Sequence, residues 1–159
     1  MFPKAKRSDY RRALCLLDPY NIDLTWQVIE ATGKSESIDI FLNFMIMDIN
    51  RNALRKRMEK SLQSKVDQLT RLVGDESWKD AGYREIDTLF GKDYVKVSNE
   101  EFAEWFRKRL IQKAGFKHVP RPMPMKTKNN AVIYYLYFAS QKPAALNIVN
   151  SIFKKYGQR

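Results

Sequence analysis

The sequence predicts a single α/β domain in which helices flank a mixed sheet of about four strands. Two short apolar runs, residues 12–17 and 38–44, enclose one amphipathic segment, which is the pattern of two parallel strands joined by a helix. Near the C-terminus, a proline-containing segment precedes the aromatic run at residues 131–139, which is the pattern of an antiparallel hairpin. We therefore expect residues 1–159 to form one domain whose sheet contains two parallel strands and a C-terminal antiparallel hairpin.

The composition favours a folded, positively charged protein. Of the 159 residues, 44% are hydrophobic and 13% aromatic, which excludes a disordered or collagen-like chain. A chain of this length buries roughly 70% of the surface that it exposes when unfolded, so it can form a core without disulfides or metals. The 29 Lys and Arg against 18 Asp and Glu give a net charge of +11. This charge favours weak, sequence-independent and salt-sensitive binding of nucleic acid, because no recognition module is evident.

Residues for several kinds of chemistry are scarce. Cys15 is the only cysteine and His118 the only histidine, so the sequence offers no internal disulfide, no zinc-type ligand set and no Ser-His-Asp triad with a nucleophile elbow. No apolar run approaches the ~20 residues of a membrane span, and the basic N-terminus lacks the apolar region of a signal peptide. We expect no metal, no membrane association and a cytoplasmic location.

The first part of the chain supplies the parallel strands. The run at residues 12–17 contains five apolar residues and ends at Asp18, which predicts a strand buried on both faces. Residues 24–32 have apolar positions at helical spacing, and Gly33 ends that helix. Residues 38–44 are rich in β-branched and aromatic side chains and form the second buried strand. Because short connections join these elements, the strands should be parallel with a right-handed crossover.

Helices follow in the middle of the chain. The spacing predicts helices over residues 45–58 and 62–73 and a short one over residues 85–90. The clearest helix begins at Ser98 or Asn99, whose side chains can cap it. Two acidic residues in its first turn suit the positive end of the helix dipole.

The last part of the chain supplies the hairpin and a final helix. Residues 116–125 contain three prolines, which cannot donate to a strand ladder, so this segment is an edge strand or an extended arm. A turn at residues 128–130 leads into the strand at 131–139, whose aromatic side chains we assign to the core. Pro143 begins a helix. The residues of that helix expected to face the core are Leu146, Val149, Ile152, Phe153 and Tyr156.

Polar residues lie at the carboxyl ends of both predicted parallel strands. Ligands of such sheets bind beyond the carboxyl ends of the strands, which places Asp18, Pro19, Tyr20 and Asn43 on the functional rim. Asp18, Pro19 and Tyr20 are the candidate catalytic residues. The alternative is that Asp18 and Pro19 only end the strand, with Asp18 accepting a hydrogen bond from a loop amide.

A second polar group extends this rim. Asp48, Asn50, Arg51 and Asn52 lie just after the second strand. Together with Asn43 they would form a ligand or partner rim, on which Arg51 would hold a phosphate or carboxylate. The alternative is a helix N-terminus with its caps, followed by a solvated basic face.

Basic residues cluster after this group. Arg55, Lys56, Arg57 and Lys60 would form a positive ridge on one helix, suited to the phosphates of a nucleic acid. A solvated helical face is the alternative. Cys15 lies in an apolar run, and we assign its thiol to the core.

Five segments carry a family resemblance. They are Leu17-Asp18-Pro19-Tyr20, Asn43-Phe44, Met47-Asp48-Ile49-Asn50-Arg51-Asn52, Gly74-Asp75-Glu76-Ser77-Trp78 and Tyr134-Tyr135-Leu136-Tyr137-Phe138-Ala139-Ser140-Gln141. Together they resemble the three-Cys-motif partner family, over nearly the whole chain. That family is similar to class I S-adenosylmethionine-dependent methyltransferases, so the resemblance implies a partial Rossmann-like sheet of methyltransferase type.

The resemblance implies that the chain corresponds only to the C-terminal half of this fold. In the methyltransferase fold the earlier half supplies the glycine-rich turn that binds the cofactor, and the six glycines here form no Gly-x-Gly. The resemblance therefore implies no cofactor for the chain alone, and S-adenosylmethionine only if the missing N-terminal half completes the site. Asp18-Pro19-Tyr20 resembles the Asn/Asp-Pro-Pro-Tyr/Phe motif, with one proline instead of two. In that motif the polar group holds an exocyclic amine and the ring stacks on a flipped base.

Two functions follow from the resemblance. The first is a non-catalytic or incomplete member of the family, a methyltransferase-like scaffold that acts with a partner, the three-Cys-motif protein. The alternative is the substrate-side half of an S-adenosylmethionine-dependent nucleic-acid methyltransferase that is completed in trans. The absent glycine-rich turn favours the scaffold.

The incomplete fold also predicts a homodimer. By analogy with the methyltransferase sheet, the strand from Arg12 to Leu17 lies at an open edge, and its apolar run contains no charge, proline or bulge to protect it. A two-fold dimer through this edge and nearby apolar helix surface is the simplest way to cover it. The alternative is that residues 1–10 fold back over the edge.

Overall fold

The computed structural model of the protein describes residues 8, 10–19, 22–56, 61–89 and 91–156. Its strands are β1 (Ala13–Leu17), β2 (Ile38–Phe44), β3 (Tyr83–Thr88), β4 (Gly91–Lys96), β5 (Met123–Lys126) and β6 (Val132–Ala139). Its helices are α1 (Trp26–Lys34), α2 (Ile46–Asn52), α3 (Gln63–Val73), α4 (Trp78–Gly82), α5 (Asn99–Gln112) and α6 (Pro143–Tyr156).

Four strands form one mixed sheet in the order β1-β2-β6-β5. Strands β1 and β2 are parallel, and β6 runs antiparallel to both β2 and β5. Strands β3 and β4 form a separate two-stranded antiparallel sheet. The predicted fold class, with two parallel strands, a C-terminal antiparallel hairpin and flanking helices, is therefore confirmed. Strands β1 and β5 are the two edges of the larger sheet.

One face of the larger sheet carries the main hydrophobic core. Successive side chains of a strand point to opposite faces, and alternate residues of β2 from Ile38 to Phe44 are buried. The ring of Phe44 stacks on Phe106 of α5, with centroids 4.4 Å apart. On β6, the hydroxyl of Tyr137 donates to the carbonyl oxygen of Ala103 in α5 at 2.7 Å. These contacts fix α5 against the middle of the sheet.

The opposite face of the sheet is only partly covered. The rings of Phe41 and Phe138 lie there with centroids 4.9 Å apart, and Phe138 is buried. In β1, however, Leu14 and Leu16 are 57% and 73% exposed. The expectation that this strand is buried on both faces is wrong, because β1 is an edge strand whose second face the described residues leave open.

Helix α6 is less buried than its sequence predicts. It begins at Pro143 as expected, and Val149 is buried. Ile152 and Tyr156 are 42% and 48% exposed, so the expectation that both face the core is wrong. A helix that packs against one surface buries only the stripe of residues that contacts it. The apolar face of α6 is wider than that stripe.

A polar hairpin replaces the short helix expected over residues 85–90. Strands β3 and β4 pair from Tyr83 with Lys96 to Thr88 with Gly91. Of the residues in β3 only Tyr83 is buried. Charged side chains lie on both faces of the hairpin, so its sequence has no alternation of apolar and polar residues that would predict strands. Gly91 has φ 110°, a backbone conformation that favours glycine and closes the turn.

Helix α2 is shorter than the helix expected over residues 45–58. It ends at Asn52. The N–H of Leu54 donates to the carbonyl oxygen of Ile49 at 2.8 Å, and both Ala53 and Leu54 are fully buried. The chain therefore leaves the helix to place these two apolar side chains in the core.

Helix α5 begins as predicted, with Ser98 as its N-cap. The hydroxyl oxygen of Ser98 accepts from the N–H of Glu101 at 3.1 Å, and the Glu101 carboxylate accepts from the N–H of Ser98 at 3.0 Å. These two hydrogen bonds form a capping box. The hydrogen bond from the Ser98 N–H to the carboxylate, helped by the Ser98 hydroxyl and by Arg84, holds the pKa of Glu101 below its ordinary value.

Candidate functional site

Asp18 and Asn43 meet at the carboxyl ends of β1 and β2. Leu17 pairs with Leu42 in the parallel register, so the next residue of each strand lies at the same rim. The side-chain amide of Asn43 donates to Asp18 Oδ1 at 2.8 Å. The carboxylate is thus held by a side-chain amide, and it lies on an exposed residue where a ligand N–H can reach it.

The remaining two candidate catalytic residues follow Asp18. Pro19 is partly buried. Tyr20, whose ring would supply the stacking surface, lies outside the described residues. The catalytic assignment of Asp18, Pro19 and Tyr20 therefore stays a prediction.

Asp48 and Asn52 form a hydrogen-bonded cluster in α2. The Asn52 amide donates to Asp48 Oδ1 at 2.7 Å and to the Asp48 carbonyl oxygen at 3.2 Å. Lys65 of α3 places its Nζ 3.9 Å from Asp48 Oδ2, which is buried and accepts no hydrogen bond from the described residues. This cluster links α2 to α3, which favours a structural role for both residues.

Asn50 belongs to a chain of polar contacts that the sequence analysis missed. Lys96 Nζ donates to Asn50 Oδ1 at 2.6 Å, and the Asn50 amide donates to Asn99 Oδ1 at 2.9 Å. Burial lowers the pKa of the Lys96 ammonium group below its ordinary value. The chain joins α2 to the end of β4 and to the first residue of α5. No local sequence signal reveals it, because the partners are 46 and 49 residues apart.

The basic residues do not form one helical ridge. Arg51 and Lys56 are exposed, and Arg55 Nε donates to the Arg51 carbonyl oxygen at 2.7 Å. Arg57 and Lys60 lie outside the described residues. Because α2 ends before Arg55, the expected ridge on a single helix is wrong, and the described part of the patch is a basic turn after α2.

A second feature that the sequence analysis missed is a groove of about 690 Å³ between α5 and β5. Tyr135 and Glu100 both line it. The hydroxyl of Tyr135 is buried and has no hydrogen-bond partner among the described residues. Burial, together with the negative charge of Glu100, raises the pKa of Tyr135 to about 12. The aromatic pattern of its strand predicts that Tyr135 belongs to the core, and its ring is buried.

The described residues contain neither a metal-type cluster of side chains nor a helix that could span a membrane. Within residues 8, 10–19, 22–56, 61–89 and 91–156, no three His, Cys, Asp or Glu side chains lie close enough together to hold a metal ion. Over the same ranges, no helix combines the length and the apolar character that crossing a bilayer requires.

Comparison with known proteins identifies no relative. No family model, no curated protein and no solved structure matches the chain. The resemblance to the three-Cys-motif partner family therefore stays a prediction, and so do the cofactor and the partner that it implies.

Proposed function

We propose that the protein is a non-catalytic α/β scaffold that binds other protein chains through the open edge of its sheet, and first of all a second copy of itself. The observation that carries the proposal is the exposure of β1. Among the described residues, β1 pairs only with β2, and Leu14 and Leu16 are 57% and 73% exposed. An unpaired strand of this kind, without charge or proline, recruits another chain.

The free backbone groups of β1 belong to the same two leucines. The N–H of Ala13 donates to the carbonyl oxygen of Ser37, just before β2, at 3.1 Å. Alternate residues of a strand direct their backbone groups to opposite sides, so the groups of Cys15 also face β2. The N–H and C=O groups of Leu14 and Leu16 consequently face away from the sheet.

The other edge of the sheet is protected. Strand β5 contains Pro124 and directly follows Pro122. Proline has no N–H to offer a neighbouring strand, and edge prolines are a common device against unwanted pairing. The two edges therefore differ, and β1 is the one suited to strand addition.

A two-fold axis at Cys15 would pair all five residues of β1 with a second copy in antiparallel register. Leu14 of one copy would then exchange hydrogen bonds with Leu16 of the other, and the four leucines would form one apolar cluster. Cys15 would face its own copy as a non-hydrogen-bonded pair, with Cα atoms about 4.5 Å apart. This separation lies within the range of about 4.4–6.8 Å in which disulfides form.

The native Cys15 therefore tests the dimer without any substitution. Size-exclusion chromatography with light scattering should give twice the mass of the chain, and oxidation with copper phenanthroline should give a covalent dimer. Leu16→Lys should yield a monomer that does not crosslink, with an unchanged circular dichroism spectrum. Leu89→Lys is the matched control, because Leu89 is 98% exposed in the turn between β3 and β4. A monomer at micromolar concentration that fails to crosslink would overturn the proposal.

The same open edge of β1 would also pair with a partner of different sequence. The three-Cys-motif protein is the partner that the family resemblance suggests, and the open β1 edge offers it a place to pair. Co-purification should be lost in Leu16→Lys and retained in Leu89→Lys; loss in both would argue against the edge. The cytoplasm is the compartment that suits this scaffold, because a single thiol such as Cys15 is kept reduced there.

A second candidate is the substrate-side half of an S-adenosylmethionine-dependent nucleic-acid methyltransferase, completed in trans. The contact between Asp18 and Asn43 favours it, since both lie at the carboxyl ends of parallel strands. Calorimetry separates the two functions. The scaffold should bind no S-adenosylmethionine, whereas binding that is lost in Asp18→Ala and kept in the exposed control Asp23→Ala would support the enzyme.

A further inference from the structure

We propose that a cavity at the end of the sheet opposite Asp18 binds a small phosphate monoester that carries a hydroxyl group. The cavity has a volume of about 350 Å³. Residues that precede β1 and β2, residues that follow β6, and Lys117 line it. Its size lies at the lower end of the range of about 300–1,000 Å³ that small-molecule sites occupy.

Three cationic side chains give the cavity its charge. Arg11, Lys117 and Lys142 line it, and none of them forms an ion pair with a described residue. A fourth cation of the lining, Arg12, forms an ion pair with Asp39, with Arg12 Nη2 3.1 Å from Asp39 Oδ1.

One acidic residue, Glu36, opposes these three cations, so the lining carries a net positive charge. Concave walls of one charge concentrate the field and favour a ligand of opposite charge. A phosphate monoester suits the cavity, because it carries about −1.5 to −2 charges at pH 7.

Gln141 supplies a second recognition group. Its amide nitrogen donates to the carbonyl oxygen of Gly33 at 3.0 Å and to that of Gly115 at 2.8 Å. Both N–H groups are thereby used, which fixes the orientation of the amide. The remaining atom, Oε1, is buried and accepts no hydrogen bond from the described residues, although Gln141 lines the cavity.

The two observations define one ligand chemistry. A buried amide oxygen without a donor is costly, and a hydroxyl group of the ligand would remove that cost. The cations require an anionic group beside that hydroxyl. A phosphate ester of a small polyol provides both groups in one molecule, whereas a polyol alone provides only the donor.

Isothermal titration with glycerol 3-phosphate, inorganic phosphate and glycerol tests the site. Glycerol 3-phosphate should bind about tenfold more tightly than phosphate, and glycerol should not bind. The double substitution Lys117→Gln with Lys142→Gln should weaken binding of glycerol 3-phosphate at least ~tenfold. Lys128→Gln with Lys154→Gln removes the same charge at other exposed positions and should change the affinity less than ~twofold.

All four lysines are exposed, so thermal unfolding should show that both double variants remain folded. No binding of glycerol 3-phosphate at millimolar concentration, or an equal loss in both double variants, would overturn the site. Equal affinities for phosphate and glycerol 3-phosphate would overturn the role given to Gln141.

Discussion

Replacing Arg109 by alanine should destabilise the fold by about 4 kcal/mol. Arg109 lies in α5 and is 8% exposed. Its Nε donates to the carbonyl oxygen of Val73, the last residue of α3, at 2.5 Å. Its Nη1 donates to Ser77 Oγ at 3.1 Å, and its Nη2 to Asp75 Oδ2 at 2.6 Å. The guanidinium group also lies 4.8 Å from the ring centroid of Trp26. One side chain thus ties α5 to α1 and to the end of α3.

The magnitude follows from the groups that the substitution leaves behind. Val73 is fully buried, and leaving its carbonyl oxygen without a donor costs about 1–3 kcal/mol. Loss of the cation–π contact with Trp26 adds about 1–2 kcal/mol. The side chain of Asp75 is 52% exposed, so its ion pair adds less than about 1 kcal/mol after screening by solvent. These contributions overlap, which places the total near ~4 kcal/mol.

Equilibrium unfolding in urea measures this difference in free energy. Lys108→Ala is the matched control in the same helix, and because Lys108 is exposed it should change the free energy of unfolding by less than ~0.5 kcal/mol. The loss in free energy of unfolding for Arg109→Lys should lie between the losses for these two variants, because an ammonium group keeps the charge but lacks the planar guanidinium fork. A free energy of unfolding for Arg109→Ala within ~1 kcal/mol of the native protein would refute the reasoning.

Three further predictions concern acid stability, packing and nucleic acid. Partial burial by itself raises the pKa of Asp75, but hydrogen bonds from Ser77 and Arg109 outweigh it and lower the pKa to about 2. The folded pKa lies below the unfolded value of 3.8, so this stabilisation is present above about pH 4 and lost as the pH falls toward 2. Urea unfolding measures how much stability each protein loses between about pH 5 and pH 2. Asp75→Asn should lose ~1 kcal/mol less than the native protein over this range, and an equal loss in the two proteins would contradict the lowered pKa of Asp75. Gly33→Ala should destabilise by more than ~2 kcal/mol in the same assay, because a Cβ atom would lie 2.0 Å from the carbonyl oxygen of Ala114; a neutral effect would mean that α1 can move away. Fluorescence anisotropy with labelled duplex DNA should show affinity falling by orders of magnitude between about 50 and 200 mM salt, and a constant affinity would exclude binding through phosphates alone.

Local patterns predict the elements whose signals lie within a few residues. Strand β2 has the predicted bounds, because its β-branched and aromatic residues stand next to one another. The start of α5 is equally local, since Ser98 and Glu101 are three residues apart in the capping box. The polar hairpin of β3 and β4 carries no such signal, because its side chains are mostly exposed on both faces.

The candidate site is predictable only where strand order brings residues together. Asp18 and Asn43 lie at the carboxyl ends of two adjacent parallel strands, so their contact follows from the βαβ pattern. Lys96 reaches Asn50 only because the β3–β4 hairpin returns to α2. The orientation of Gln141 depends on carbonyl groups 108 and 26 residues away. Spacing along the chain says nothing about such contacts.

The sequence by itself therefore determined the fold class, the parallel pair of strands and the N-cap of α5, all of which arise from short-range geometry. Only the tertiary structure decided that β6 lies between β2 and β5, and that Leu14 and Leu16 remain exposed on β1. An apolar run looks the same in sequence whether one or both of its faces are covered. Whether a face is covered depends on which distant segments pack against it, and these non-local contacts form only when the whole chain folds.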